Sequence, residues 1–200
     1  MEEEYVKKVY DAIGEHFDQT RYNHWNSVKE FITSLSTNSF VFDAGSGNGK
    51  NAFIRQDLMF IGCDISETLA NICNKKNLNV LLSDIRMLPF KDNTFDAVLC
   101  VAVLHHISLY EQRLRAINEL LRVLKPGGKL FISVWALEQE LTDKFINIQG
   151  HDYFVTWNKH NEQFKRYYHL FSQDEVKELF PGADVNYEKD NWNVIIIKHK

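Results

Sequence analysis

Cysteine and proline are scarce in this sequence, with three of each in 200 residues. Cys63, Cys73 and Cys100 have no CxxC spacing and fall in predicted strands or a helix, which argues against a disulfide framework and a cysteine metal site. We expect reduced core thiols in a cytoplasmic protein, and a nuclear location is also compatible with them. So few prolines leave little room for a linker, and residues 1–200 are expected to form a single domain.

Long hydrophobic runs and an excess of positive charge are also lacking. The longest apolar runs, such as AVLCVAVL at 97–104, are far shorter than the ~20 residues that span a bilayer, so no membrane contact is expected. The acidic beginning MEEEYVKK resembles neither a secretory signal nor a transit peptide. A net charge of −4 argues against a globally basic nucleic-acid binder, but it leaves room for a local basic face or a partner that supplies the charge.

Strand-like and helix-like segments alternate along most of the chain. Helical patterns cover 3–17, 26–35, the amphipathic stretch 110–126 and a segment near 173–180, and strand-like runs cover 40–45, 57–64, 79–84, 95–104, 129–136, 183–189 and 191–198. This alternation predicts a doubly wound, mostly parallel α/β sheet. The last two runs are too close for a helical crossover, so they are expected to pair antiparallel.

The first predicted strand is followed by the glycine-rich loop DAGSGNGK. Gly45, Gly47 and Gly49 allow tight turns and a close approach of the backbone to a ligand. The loop departs from the dinucleotide fingerprint, because its third glycine arrives one residue early and Lys50 stands at the fingerprint position. Asp43 precedes the loop and would repel a pyrophosphate but attract an ammonium group. This combination favours S-adenosylmethionine, which carries an amino acid and no phosphate.

Two further acids end the next two strands. Asp64 is placed to accept hydrogen bonds from ribose hydroxyls, and Asp84 from the adenine amino group. Ile65, Ile85 and Val101 complete the predicted cofactor site. Each acid alone could equally be a helix cap or a solvated loop residue, but acids at the ends of strands one, two and three are difficult to obtain by accident.

The order of these motifs resembles class I S-adenosylmethionine methyltransferases across residues 38–136. The resemblance implies a seven-stranded Rossmann-like sheet with an antiparallel C-terminal strand, and S-adenosylmethionine as the cofactor. His105 and His106 follow the fourth strand, as histidines do in many small-molecule members, so they identify the fold more than the substrate. They lack a third ligand nearby, and no metal site is predicted. His106 is a candidate catalytic residue, as a substrate ligand or a wall of the site.

Three other segments resemble a narrower family, the eukaryotic wobble-uridine tRNA carboxymethyl methyltransferases. QTRYNHW follows the first helix, VWALEQ follows the fifth strand, and FKRYYHLF follows a long insertion. The resemblance implies methyl esterification of 5-carboxymethyluridine in the tRNA anticodon loop to 5-methoxycarbonylmethyluridine, by a subunit that works with a small zinc-binding activator protein. Ser46 stands where relatives usually have cysteine. We expect residues 1–37 to form part of the acceptor pocket and 137–171 to form a lid-like insertion.

Substrate contacts are predicted in these segments. Arg21 or Arg166 is expected to hold the substrate carboxylate, and the sequence leaves open which of them does so. Aromatic and histidine side chains are expected to bind the splayed-out base, namely Tyr22, His24, Trp25, Trp135, Tyr167 and His169. The alternative is that QTRYNHW is an elbow, with Tyr22 and Trp25 buried against the sheet and Arg21 capping a helix.

The third predicted strand, 79–84, should lie at an edge of the sheet. An uncovered edge can accept a strand from another protein, and the family resemblance implies that the activator docks there. The alternative is that a helix or the loop around Met87 to Phe90 covers this edge.

Two rival functions share most of these features. A small-molecule O- or N-methyltransferase has the same motifs up to Ala136 and would ignore tRNA. A non-catalytic scaffold would lack turnover, but the intact glycine loop with Asp43 and Asp64 argues against a dead cofactor site.

Overall fold

The structure, a computed structural model, describes residues 1–199 and contains ten strands and five α-helices in this range. The strands are β1 (Phe40–Ala44), β2 (Met59–Asp64), β3 (Val80–Leu82), β4 (Phe95–Val101), β5 (Leu124–Trp135), β6 (Phe145–Gln149), β7 (Asp152–Lys159), β8 (Glu162–His169), β9 (Asp184–Glu188) and β10 (Asn191–Ile197). The helices are α1 (Lys8–Thr20), α2 (Asn26–Thr33), α3 (Glu67–Lys75), α4 (Tyr110–Val123) and α5 (Gln173–Leu179).

Seven strands form one sheet in the order β3-β2-β1-β4-β5-β10-β9. Neighbouring strands from β3 to β5 pair parallel, whereas β10 pairs antiparallel with both β5 and β9. The turn between β9 and β10 is tight because Lys189 and Asp190 both adopt positive φ, at 45° and 66°. The predicted doubly wound sheet with an antiparallel C-terminal strand is confirmed.

Apolar layers cover both faces of this sheet. On one face Phe42 and Val98 join the larger core under α4 and α5, and on the other Val41 and Leu99 pack with the apolar side of α2. The central strands are therefore buried on both sides, which explains their continuous apolar sequence. The three cysteines are buried and unpaired, as predicted. Within residues 1–199, no helix combines the length and apolar character needed to cross a bilayer.

The segment predicted as a lid-like insertion contains a second sheet. It consists of β6, β7 and β8, paired antiparallel in that order. Alternate side chains on β7 are buried, and the last four residues of β8 are all buried. Tyr153 and Tyr168 pack together, while Trp157 packs against Val9 and Ile13 of α1. These strands are not evident in the sequence, because aromatic and polar residues are mixed along them without a long apolar run. Movement of this sheet as a lid stays a prediction.

Helix α1 is fixed against α3, and this contact sets the position of the N-terminal segment. Ser66 Oγ donates to Asp11 Oδ1 at 2.7 Å, and Thr68 Oγ1 donates to the carbonyl of Asp11 at 2.9 Å. A Cβ at Gly14 would lie 2.7 Å from Thr68 Cγ2, so the close approach of the two helices requires glycine there. The contact holds one side of α1 next to the carboxyl ends of the parallel strands.

Candidate active site

A cavity of about 440 Å³ lies outside the carboxyl ends of the parallel strands, between α1 and the small sheet. Its volume falls in the usual range of small-molecule sites, ~300–1,000 Å³. Predicted site residues that line it are Arg21, Trp25, Gly45, Gly47, Asp64, Ile65, Asp84, Ile85, Val101, His106, Trp135 and Arg166. Predicted site residues outside its lining are Tyr22, His24, Asp43, Gly49, Tyr167 and His169.

The glycine loop follows β1 in a path that other residues would not tolerate. Gly45, Gly47 and Gly49 have φ of +79°, +56° and +75°, values that favour glycine. A Cβ at Gly45 would lie 2.2 Å from Val103 Cγ2, and one at Gly49 would lie 2.3 Å from a Leu78 methyl carbon. Gly45 and Gly47 therefore expose backbone to the cavity, while Gly49 packs the loop against the interior.

Two acids, Asp43 and Asp64, are buried beside this loop. Burial raises the pKa of Asp43 to about 7, and the negative charge of Asp64 acts in the same direction. Burial raises the pKa of Asp64 to about 6, although backbone N–H groups, including that of Gly47 at 2.8 Å, stabilise its charged form. Asp43 Oδ2 accepts a hydrogen bond from Asn51 at 3.2 Å, whereas Oδ1 has no partner among the described residues. A cationic ligand would stabilise both carboxylates.

Asp84 lies at the far end of the cavity with its own counter-charge. Although burial favours the neutral acid, hydrogen bonds from Arg86 lower the pKa of Asp84. Arg86 Nε lies 3.0 Å from both carboxylate oxygens, and the Arg86 backbone N–H donates to Oδ1 at 2.9 Å. Asp84 is thus held ionised and oriented. Three N–H donors of Arg86 face its roughly four acceptor positions, which leaves one position for a ligand N–H group.

Arg166 is the buried cation of the opposite half of the cavity, with 6% of its surface exposed. Its guanidinium carbon lies 4.8 Å from the ring centre of Trp157 and 5.2 Å from that of Tyr168. One terminal nitrogen donates to the Tyr10 hydroxyl at 3.4 Å, while Nε has no hydrogen-bond partner among the described residues. Since buried donors are nearly always satisfied in proteins, this arrangement favours an anionic ligand next to Arg166.

His106 forms a wall of the cavity and is held in one tautomer. Its Nδ1 lies 2.7 Å from the carbonyl oxygen of Tyr167, so Nδ1 carries the proton, and Nε2 accepts from the Tyr10 hydroxyl at 3.0 Å. Burial lowers the pKa of His106 to about 3, and the nearby positive charge of Arg166 contributes. The imidazole is therefore neutral at physiological pH, and both its nitrogens are occupied, so it is not available as a general base.

Only some residues of the heptapeptide QTRYNHW reach the cavity. Arg21 follows the end of α1, lines the cavity and lies with its guanidinium carbon 4.8 Å from the centre of Trp157, while Trp25 also lines the cavity. Tyr22 is instead 69% exposed, and His24 Nε2 lies 3.1 Å from the carbonyl oxygen of Lys50, behind the glycine loop. The structure thus brings only half of this predicted cluster to the cavity.

Only some of the site residues predicted on β8 reach the cavity, because successive side chains of a strand point to opposite faces. Arg166 and Tyr168 face the cavity, where Tyr168 stacks on Trp135 with ring centres 4.4 Å apart. Tyr167 and His169 point away, and both contact Asp152 Oδ1 at 2.7 Å. Their predicted contact with the base is therefore corrected, since Tyr167 and His169 lie on the face of the strand opposite Arg166.

Sequence reasoning missed Tyr10, Phe17 and Tyr168, which line the cavity. Tyr10 and Phe17 lie seven residues apart and therefore share one face of α1. Their rings pack edge to face, with centres 5.6 Å apart. That spacing is visible in the sequence, but an aromatic stripe on a helix is more often part of a core. Only the docking of α1 on α3 shows that this stripe faces a cavity.

Comparisons with known proteins agree with this geometry. Residues 42–132 match a family described as a methyltransferase domain. The tRNA (carboxymethyluridine(34)-5-O)-methyltransferase of Schizosaccharomyces pombe is 37% identical over 99% of this chain and 98% of its own length. The protein of that name in Arabidopsis thaliana is 48% identical over 71% of this chain, and the match spans only 35% of the plant protein.

The fold is also shared with solved structures. A methyltransferase from Haloferax volcanii, solved in complex with the Trm112 methyltransferase activator, superimposes with a TM-score of 0.72 at 17% identity, and the match covers 98% of each chain. Among the relatives by sequence, animal proteins are much longer than this chain, which matches 22% of the Xenopus tropicalis protein.

Proposed function

The chain belongs to the family of tRNA (carboxymethyluridine(34)-5-O)-methyltransferases, and we propose that it esterifies 5-carboxymethyluridine at the wobble position of a tRNA anticodon. The methyl donor is S-adenosylmethionine, and the proposed product is 5-methoxycarbonylmethyluridine. The observation that carries this proposal is Arg166, a buried cation that lines the cavity and has no carboxylate partner among the described residues. The guanidinium group of such a residue can bind a carboxylate on the acceptor nucleoside through charge-assisted hydrogen bonds.

The residues of the cofactor half fit S-adenosylmethionine. Asp64 lines the cavity at the glycine loop and offers a carboxylate for the ribose hydroxyls, and Asp84 offers an acceptor for the adenine amino group. Asp43 is buried just behind this lining, where its carboxyl group favours a positively charged ammonium group in front of the loop. A Cβ at Gly45 would clash with Val103 of the cavity wall, so the loop passes the cavity with bare backbone there.

The proposed chemistry needs alignment more than acid–base catalysis. S-adenosylmethionine supplies an electrophilic methyl group on a sulfonium. A carboxylic acid has a reference pKa near ~4, so the acceptor carboxylate is already ionised at neutral pH. One of its oxygens forms the bond to the methyl carbon while the carbon–sulfur bond breaks and the electron pair stays on sulfur. No proton moves, which agrees with a cavity whose histidine is neutral and fully hydrogen-bonded.

Arg166 is better placed than Arg21 to hold the second carboxylate oxygen. Arg166 is fixed between two aromatic rings and is 6% exposed, so its hydrogen bonds form in a site that excludes water. Arg21 lies at the rim, exposed, with its guanidinium 3.4 Å from the carbonyl oxygen of Thr20. We therefore assign the carboxylate to Arg166 and assign to Arg21 a weaker contact at the mouth of the cavity.

The aromatic side chains around Arg166 suit an extruded base. Trp25 and Trp135 line the cavity and are partly exposed, so each keeps surface for contact with a uracil ring. Single-stranded RNA is usually read by stacking bases on such side chains. Tyr168 lies behind Trp135 and is 2% exposed, so its role is to hold Trp135 and Arg166 in place.

We also propose that an activator protein of the Trm112 type binds at residues 79–84. Strand β3 is an edge strand, and Leu81 and Leu82 on it are 43% and 57% exposed, while Met87 nearby is 70% exposed. Neither helix α3 nor the loop near Met87 covers these side chains. An apolar, unpaired edge of this kind can accept a strand from a partner. The expected result is that Leu82→Asp abolishes copurification with the activator, whereas unchanged copurification would contradict this docking site.

The function is tested by transfer of a tritiated methyl group from S-adenosylmethionine to tRNA that contains 5-carboxymethyluridine. The assay is run with and without the activator, and the same tRNA bearing 5-carbamoylmethyluridine serves as a control. We expect an alkali-labile label on the carboxylate tRNA alone. No label, with cofactor binding intact in calorimetry, would overturn the tRNA proposal and favour a small-molecule methyltransferase.

A further inference from the structure

We propose that His151, His169 and Glu175 bind one divalent transition-metal ion, of the Zn²⁺ class, where the small sheet meets the rest of the molecule. One ligand atom from each of these residues lies within 4.8 Å of the other two. His151 precedes β7, His169 ends β8, and Glu175 lies in the first turn of α5. The cluster is on the face of β8 opposite Arg166, so it is separate from the cavity and does not depend on the proposed function.

The distances between the ligand atoms are close to those of a metal site. His169 Nε2 lies 2.9 Å and 3.0 Å from the two oxygens of Glu175, and His151 Nδ1 lies 3.8 Å from Glu175 Oε2. Ligands bound to zinc at ~2.0–2.1 Å in a tetrahedral geometry are about 3.3 Å apart, so only the His151 ring must move inward. The side chain of His151 is 41% exposed and lies at a turn, which permits that movement and gives an ion a path to the site.

A carboxylate behind one histidine supports this assignment independently. His169 Nδ1 lies 2.7 Å from Asp152 Oδ1, and the Tyr167 hydroxyl donates to the same oxygen at 2.7 Å. With Nδ1–H directed to Asp152, Nε2 faces the carboxylate of Glu175, and an ion between them would take the place of the hydrogen that joins them at 2.9 Å. Metal-binding histidines commonly donate their second N–H group to a carboxylate, which fixes the ring and its tautomer.

Arg113 is the charge that competes with an ion for Glu175. Its terminal nitrogen lies 3.5 Å from Glu175 Oε1, at the long end of an ion pair. The closest approach of His151 is to the other oxygen, Oε2, so Glu175 can pair with Arg113 through Oε1 and bind an ion through Oε2. Two histidines and one carboxylate form a ligand set that zinc accepts, with a fourth position left for water.

The expected consequence of metal binding is stability. The ligands join the beginning of β7 and the end of β8 to α5, so an ion would tie the small sheet to the main domain. An ion that binds only the folded state stabilises it by mass action. The small sheet carries Arg166, and its attachment therefore also bears on the shape of the cavity.

The test uses the full chain without a histidine tag, stripped of metal with a chelator. We expect Zn²⁺ to bind in calorimetry with a stoichiometry of one, to raise the melting temperature, and Co²⁺ to give the visible absorption of a four-coordinate site. His151→Ala should abolish all three signals, because it removes a ligand at an exposed turn. His160→Ala is the matched control, since His160 is exposed on the turn between β7 and β8 and outside the cluster, and it should bind as the wild type does.

A second variant distinguishes a built site from adventitious binding. Asp152→Asn keeps the three ligands but weakens the orientation of His169, and we expect roughly 10–100-fold weaker Zn²⁺ binding. Its circular dichroism should match that of the wild type, which separates loss of binding from loss of folding. Absence of stoichiometric binding by the wild type, or unchanged binding by His151→Ala, would overturn the proposal and leave a metal-free cluster of hydrogen bonds.

Discussion

The two halves of the cavity are built in different ways. The cofactor half comes from the ends of neighbouring parallel strands, and the predicted cofactor residues that line it all lie between Gly45 and Val101. The acceptor half combines α1, the end of β5 and β8, which are far apart in the chain. Parallel topology fixes the first half, whereas the docking of two peripheral segments on the sheet fixes the second. A motif can therefore identify the cofactor, but the acceptor site depends on tertiary contacts.

The two halves also differ in charge. Buried carboxylates with a raised pKa occupy the cofactor half, and a buried guanidinium without a carboxylate partner occupies the acceptor half. This polarity matches the proposed reactants, because a cationic methyl donor meets acids and an anionic acceptor meets Arg166. It also predicts that a single substitution will disturb the binding of only one reactant.

The largest expected effect is on the acceptor half, from Arg166→Ala. Hydrogen bonds to charged groups contribute ~1.5–3 kcal/mol, so kcat/KM for tRNA should fall roughly 10–150-fold. The Kd for S-adenosylmethionine in calorimetry should stay within about twofold of wild type, because no cofactor contact is removed. Lys165→Ala is the matched control on β8, since Lys165 is exposed. A parallel loss of cofactor affinity in Arg166→Ala would show that the two halves are not independent.

Asp64→Asn should produce the reverse pattern with a smaller magnitude. The substitution removes the negative charge of the carboxylate whose Oδ2 accepts the Gly47 N–H at 2.8 Å, and it weakens the proposed contact with ribose. We expect about a tenfold rise in the Kd for S-adenosylmethionine, and little change in tRNA affinity measured without cofactor. Asp57→Asn, at an exposed site just before β2, is the control. Unchanged cofactor affinity in Asp64→Asn would contradict the assignment of this acid to the cofactor.

A still smaller effect is expected from pH on the cofactor half. The pKa values of Asp43 and Asp64, about 7 and about 6, mean that a cationic ligand must displace protons at lower pH. Affinity for S-adenosylmethionine should rise about threefold from pH 6.5 to 7.5 and then level off. Calorimetry at pH 6.5 in buffers of different ionisation enthalpy should show net proton release. An affinity that does not change with pH, with no proton exchanged on binding, would contradict the raised pKa values of Asp43 and Asp64.

The same shifts predict the sign of a stability change without cofactor. Both acids have a higher pKa in the folded state than the ordinary value of 3.8, so the folded protein binds more protons than the unfolded chain between about pH 4 and pH 7. Their contribution to the free energy of unfolding is therefore favourable below pH 4 and is lost as the pH rises through 6 and 7. Addition of S-adenosylmethionine should restore part of that stability above pH 7.

Sequence reasoning reached the cofactor half more completely than the acceptor half, and the reason is physical. The order of strands and the glycine loop follow from local patterns, and the sheet topology then brings Asp43, Asp64 and Asp84 to one edge. The strands of the small sheet carry mixed polar and aromatic residues, so their period of two was not recognised. Without that period, Arg166 and Tyr167 could not be assigned to opposite faces, although the two residues are adjacent.

The N-terminal segment was hard to interpret for another reason. Whether Arg21 and Trp25 reach the cavity depends on where α1 packs, and that position is set by contacts of Asp11 and Gly14 with Thr68, more than fifty residues away. Sequence patterns showed that α1 is amphipathic but not which neighbour its polar and aromatic side meets. The cluster of His151, His169 and Glu175 could not be predicted from the sequence for the same reason, since its three residues come from different elements.

A comparably small effect is expected from Arg21→Ala, and it separates the roles of the two arginines in the acceptor half. Arg21 is exposed, and a cation–π contact at such a site contributes ~0.5–1 kcal/mol, so kcat/KM for tRNA should fall by only about two- to fivefold. Because the guanidinium groups of Arg21 and Arg166 each lie 4.8 Å from the ring centre of Trp157, the double variant tests whether they act together. Additive losses would mean that Arg166 alone binds the carboxylate. A loss in Arg21→Ala as large as that in Arg166→Ala, with no further loss in the double variant, would mean that the two arginines hold the carboxylate jointly.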